Sequence, residues 1–192
     1  MNLKIITSTT RPGSKGVIIA EWINALAREQ EDITVELLDL AKINLPLMDE
    51  PQHPRLGQYE HQHTKDWSAK IKEGDAFVIV LAEYNYGFPA PIKNAIDYLF
   101  HEWAYKPVGI VSYGGVSGGL RSAQMLKQVL TALQMMPINQ SVTLPLFAKQ
   151  IDSGNSFKGD ESQVKSAVAM FAELKKWVTA LQPLRSQIAG GR

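Results

Sequence analysis

The chain contains no cysteine. That absence excludes disulfide frameworks, thiolate zinc sites, cysteine-ligated iron–sulfur clusters and a catalytic thiol together. Long hydrophobic runs are missing as well. No stretch approaches the roughly 18 apolar residues needed to cross a bilayer. The first residues enter a strand-like stretch, Leu3-Lys4-Ile5-Ile6, without a basic region and a cleavable apolar segment. A soluble, cytoplasmic protein without membrane contact is expected. Excess charge of either sign is absent too: 20 Lys and Arg against 19 Asp and Glu leave a net charge of +1. Nothing therefore draws the chain toward nucleic acid or strongly acidic partners. Histidine is scarce. His61 and His63 lie two apart on a polar stretch, where on a helix they would not face one another, and no metal site is expected.

What remains is an ordinary globular composition, 45% hydrophobic and 20% charged, over 192 residues. That length fits one domain with a sizeable core. Strand and helix signals alternate along it. Residues 3–7, 33–38, 76–82, 106–112 and 137–146 read as strands. Apolar residues recur at helical spacing over 17–28, 91–99, 120–133 and 161–181, with a more polar helix over 62–72. Pro46, Pro51, Pro54 and Gly57 keep the segment 39–59 irregular, with Leu45-Pro46-Leu47-Met48 tucked onto the sheet edge. Continuous apolar strands separated by helices predict an α/β fold with a parallel sheet covered on both faces. Five strands in this length imply a doubly wound, flavodoxin-like sheet rather than an eight-stranded barrel, which needs about 250 residues. The domain is expected to span residues 1–185, with 186–192 a flexible tail.

Ligands of open α/β sheets lie outside the carboxyl ends of the strands, and three unusual loops follow strands here. The first is Ser8-Thr9-Thr10-Arg11-Pro12-Gly13-Ser14-Lys15-Gly16. Hydroxyls, a guanidinium and the N–H groups of a helix start suit a phosphate; a helix capped by Ser14 explains the same residues without a ligand. Arg11 favours the phosphate, because a cation at the positive end of a helix is unfavourable unless an anion joins it. Neither a Walker loop nor a dinucleotide fingerprint is present.

The second loop, Tyr84-Asn85-Tyr86-Gly87, offers aromatic faces, an amide and a glycine with access to conformations closed to other residues. The third, residues 112–119, has four glycines that let backbone N–H groups approach a ligand. Packing in a subunit contact accounts for the second loop equally, and a plain turn for the third. Together the three describe a phosphate site beside a holder for a flat ring system.

One stretch is more specific. Glu83-Tyr84-Asn85-Tyr86-Gly87-Phe88-Pro89-Ala90-Pro91-Ile92-Lys93-Asn94-Ala95-Ile96-Asp97 resembles the Pro-Glu-Tyr-Asn…Pro…Leu-Lys-Asn-Ala-Ile-Asp motif of the NADPH-dependent FMN reductases, a flavodoxin-like family that includes NAD(P)H:quinone, azo-dye and chromate reductases. The resemblance runs in order from Leu3 to about Leu133. His101-Glu102-Trp103 and Val111-Ser112-Tyr113-Gly114-Gly115 are especially like the fungal quinone reductases. Two departures stand out. Ser8-Thr9-Thr10-Arg11 replaces the family's Gly-Ser-x-Arg, and Ala82 stands where proline is usual.

The resemblance implies that Thr9, Arg11, Ser14, Lys15, Gly16 and Val17 surround the phosphate of FMN. Glu83, Tyr84, Asn85 and Tyr86 would lie against its ring, with Ser112, Tyr113, Gly114 and Gly115 closing the other side. NADPH or NADH would be the hydride donor, and a quinone, azo compound or metal oxyanion the acceptor, in a ping-pong sequence with no catalytic side chain. It also implies a homodimer or homotetramer, for which the helix over 92–99 and Trp103 are candidate contacts. A non-catalytic FMN electron carrier or a flavin-dependent regulatory or scaffold protein are the alternatives; carriers of this fold tend to be strongly acidic, and this chain is not.

Overall fold

A strand over Ala76–Ala82, buried at all seven residues, runs through the middle of the molecule. The structure, a computed structural model, describes residues 1–190, the side chains of 188–190 excepted. Five strands are present: β1 (Asn2–Thr7), β2 (Thr34–Leu38), β3 (Ala76–Ala82), β4 (Pro107–Tyr113) and β5 (Met136–Leu144). They form one parallel sheet in the order β2-β1-β3-β4-β5. Six helices alternate with them: α1 (Gly16–Arg28), α2 (Leu40–Ile43), α3 (Gln62–Glu73), α4 (Ala90–Asp97), α5 (Leu120–Ala132) and α6 (Glu161–Gly190). This is the doubly wound, flavodoxin-like single domain read from the sequence. The helix α6 continues past residue 186, where a flexible tail was expected, and 191–192 lie outside the described residues. No described helix is long and apolar enough to cross a membrane.

The sheet divides its apolar residues between two cores, because successive strand side chains point to opposite faces. Ala76, Val78 and Val80 of β3 join Ile19 and Ile23 of α1 and Met170, Phe171 and Leu174 of α6. Phe77, Ile79 and Leu81 join Trp67, Ile71, Ile92, Ile96 and Leu126 on the other face. The helix α6 comes so near β4 that a Cβ on Gly109 would sit 2.6 Å from Met170 Sδ. Pro137 is accommodated because β5 is an edge strand, and its register against β4 shifts nearby, between Val108 and Ile110. Buried Lys4 pairs with Glu36 on β2 and with Glu73 of α3, 2.8 Å away. Lys106 donates to the carbonyls of Ile71 (2.7 Å) and Lys72 (3.2 Å) at the end of α3. Burial, aided by the charge of Arg185, pushes its pKa down to about 8.

Three expectations change. Trp103 is 1% exposed and donates to the carbonyl of Ile96 at 3.0 Å, so it is core rather than a subunit contact. Polar contacts, not apolar burial, pin the segment after α2: Asn94 Nδ2 and Tyr98 Oη both donate to the Pro46 carbonyl, while Leu47 is 82% exposed. His61 precedes α3 rather than lying on it, which lets its ring stack on His63 with centroids 5.2 Å apart. Asp49 holds both rings, through its carboxylate to His63 Nε2 and its carbonyl to His61 Nε2.

Candidate functional site

All five strands run in one direction, so the loops that follow them open on a common rim. A cavity of about 420 Å³ lies there, lined by Arg11, Ser14 and Lys15, by Ala82, Glu83 and Tyr84, by Tyr113, Gly114 and Gly115, and by residues 146–149. Its size is ordinary for a small-molecule site.

The first loop is built around a hydroxyl pair. Thr9 Oγ1 and Ser14 Oγ lie 2.6 Å apart, and Ser14 Oγ accepts from the Gly16 N–H at 3.3 Å. Lys15, not Ser14, occupies the cap position, and no side chain caps α1 in the usual way. Among the described residues the N–H groups of Val17 and Ile18 find no acceptor, and no acidic residue lies in the first turn. Arg11 is exposed and forms no ion pair among the described residues. The Lys15 ammonium donates to Asn155 Oδ1 at 2.7 Å.

Tyr113 couples this loop to β4. Its ring is buried, and its hydroxyl has no hydrogen-bond partner. Burial raises its pKa, against the nearby Thr9 and Ser14 hydroxyls and Arg11. A Cβ on Gly16 would sit 2.5 Å from that hydroxyl, so glycine is needed for the close approach. Gly16→Ala should therefore cost about 1–3 kcal/mol of stability by overpacking. In a Tyr113→Phe background the same change should be nearly neutral. The remaining contacts, 3.3 Å to Thr9 Oγ1 and 3.4 Å to Tyr113 Cζ, are offset by alanine's helix preference of up to about 1 kcal/mol over glycine. Urea unfolding of the four proteins in this double-mutant cycle measures the coupling; strict additivity would refute the contact.

The second loop is a tight reversal in which Tyr84 and Gly87 exchange both backbone hydrogen bonds at 2.9 Å. Its central residues, Asn85 (φ 50°) and Tyr86 (φ 71°), are both left-handed. The glycine was expected to supply that freedom; Gly87 has no positive φ, and an aromatic residue carries the strain instead. A brace accounts for it. The Arg121 guanidinium lies 4.1 Å from the Tyr86 ring centre and 2.8 Å from Glu83 Oε1. Ser117 Oγ donates to the same oxygen at 2.9 Å, and the Arg121 N–H donates to Glu83 Oε2 at 3.1 Å. Burial works to raise the Glu83 pKa, but these partners win and hold it below the usual carboxylate range. The N–H groups of Asn85 and Tyr86 have no acceptor among the described residues.

Eight of the expected residues line the cavity: Arg11, Ser14, Lys15, Glu83, Tyr84, Tyr113, Gly114 and Gly115. The others stand around it. Thr9 braces Ser14, Gly16 backs onto Tyr113, and Val17 supplies an unpaired N–H. Asn85 and Tyr86 form the exposed turn, and Ser112 is buried within β4. Two contributors were missed. The brace from Arg121 and Ser117 joins residues more than thirty apart in sequence. The turn over 146–149 follows β5, and the parallel topology alone would have placed it on the same rim.

Comparisons with known proteins add the following. The profile of the family described as NADPH-dependent FMN reductase matches residues 1–149. An NAD(P)H-dependent FMN reductase of Schizosaccharomyces pombe is 38% identical over 163 residues, 81% of each chain. A probable NADPH:quinone oxidoreductase of Oryza sativa subsp. japonica is 34% identical over 102 residues, 52% of this chain and 50% of its own. Among solved structures, a flavoenzyme NAD(P)H:(acceptor) oxidoreductase from Paracoccus denitrificans has a TM-score of 0.68, covering 95% of this chain and 97% of its own. At 19% identity that likeness is one of fold.

Proposed function

This chain belongs to the NADPH-dependent FMN reductase family, and from that premise we propose that it passes two electrons from NAD(P)H to quinones by a ping-pong route, with FMN held in the rim cavity. The net reaction takes NAD(P)H, a proton and a quinone to NAD(P)⁺ and a hydroquinone. Bound FMN supplies redox chemistry that none of the protein side chains can. The observation that carries the reading is Arg11, a cation without a counter-ion at the positive end of α1, beside N–H groups that lack acceptors. A phosphate satisfies all of them together. Gly16 supports the same fit, since the missing Cβ lets the helix start close against Tyr113.

The second loop suits a flavin ring. Tyr84, 40% exposed, offers an aromatic surface at the cavity wall. The unpaired N–H groups of Asn85 and Tyr86 would stabilise negative charge developing on the ring. Quinones are the acceptors favoured by the exposed apolar rim of Tyr86, Val116 and Leu120; azo compounds and metal oxyanions are the other candidates. A dimer or tetramer and a cytoplasmic location belong to the same proposal. The outer side of α4 remains a candidate contact beside exposed Leu47 and Leu56.

Initial-rate kinetics of purified holoprotein with NADPH and a quinone test the scheme. Parallel double-reciprocal lines are expected, with turnover above a free-FMN control. Intersecting lines would refute ping-pong transfer, and bound FMN without turnover would leave an electron carrier or scaffold. A pH prediction follows from Glu83. Its folded pKa lies below the unfolded value, so its brace is complete above the ordinary glutamate range and is lost as pH falls through the lowered value. FMN release, followed by fluorescence, should rise over that acid window, and Glu83→Gln should remove that component. An unchanged release profile in the variant would count against the brace.

A further inference from the structure

We infer that Lys149 is a binding residue for a phosphate monoester dianion, an inference that rests on the FMN reading of the cavity. Three cations line that cavity, Arg11, Lys15 and Lys149, and the one acid among its lining residues is Glu83. Both Glu83 oxygens are already taken by Ser117 and Arg121. The Lys15 ammonium is drawn to Asn155. The Lys149 side chain meets neither a carboxylate nor another acceptor among the described residues, although its backbone N–H donates to the Leu146 carbonyl at 2.9 Å. Arg11 and Lys149 thus leave two unpaired positive charges around one cavity. A phosphate monoester carries a charge of about −1.5 to −2 at neutral pH. The charges match.

The turn that carries Lys149 is held in place rather than loose. The Leu146 N–H donates to the Gly115 carbonyl at 2.9 Å, tying this turn to the third loop. The Phe147 ring stands edge-on to Tyr113 with centroids 4.9 Å apart. Leu146 adopts a left-handed φ of 49°, a conformation that a branched side chain takes only where its surroundings enforce it. A cation carried on a fixed backbone loses less freedom on binding than one on a mobile loop.

Two phosphates of this chemistry are available to such an enzyme: the 5′-phosphate of FMN and the 2′-phosphate of NADPH. Fluorescence titration of apoprotein with FMN and with riboflavin separates the first. KM values for NADPH and NADH with FMN-saturated holoprotein separate the second. Lys149→Gln should weaken FMN about tenfold while sparing riboflavin, or raise the KM for NADPH about tenfold while sparing NADH. Either result supports the inference and names the source, and Lys149→Arg should restore most of the loss. Folded Lys149→Gln protein with both ratios unchanged would overturn it, leaving the FMN reading intact. Wild-type protein that binds neither FMN nor riboflavin would overturn that reading itself.

Discussion

Trp103→Ala should lower the stability of the folded protomer by about 3–5 kcal/mol, the cost of emptying a large aromatic site in a packed core. The ring is 1% exposed and meets Phe77 and Trp67 edge-on, with centroids 5.1 and 6.1 Å away. Its indole N–H also satisfies the Ile96 carbonyl in the last turn of α4, so truncation leaves a buried acceptor unpaired as well as a cavity. Trp103→Phe should lose less, because the ring contacts partly survive and only the hydrogen bond is removed. Urea unfolding with an unchanged m-value measures the loss. A subunit contact at Trp103 would give the reverse: a lighter assembly by light scattering with little change in protomer stability.

Arg11→Ala should weaken FMN binding by about 1.5–3 kcal/mol, the range for a hydrogen bond to a charged group, or roughly 10- to 150-fold in Kd. Riboflavin, which lacks the phosphate, should bind wild type and variant alike. The apoprotein should lose no stability. A cation beside the positive end of α1 is mildly unfavourable without its anion, and no carboxylate partner is forfeited. Isothermal titration of apoprotein with both ligands, alongside thermal unfolding without ligand, reads all three effects. Equal weakening of FMN and riboflavin would place Arg11 away from the phosphate.

Much of the fold was legible in sequence because each strand and helix reports its own burial. The unbroken run Ala76–Ala82 belongs to a strand covered on both faces, and that is how β3 sits. The motif from Glu83 to Asp97 marked the second loop correctly. Its inner workings were hidden. Gly87 looked like the flexible residue, yet Asn85 and Tyr86 take the left-handed conformations, because Arg121 from another loop stacks on the Tyr86 ring. The histidine pair was misjudged for a similar reason. Its geometry depends on where α3 begins and on Asp49, a dozen residues earlier.

The sequence by itself determined the strand–helix alternation, the three loops and the family, since all of these are written in local periodicity and contiguous motifs. Tertiary structure alone decided that Trp103 is buried, that Gly16 must yield space to the Tyr113 hydroxyl, and that the turn over 146–149 brings Lys149 to the same cavity as Arg11. Those facts depend on which strand ends become neighbours. Sheet pairing sets that order over separations of up to a hundred residues or more, and no window of sequence contains it.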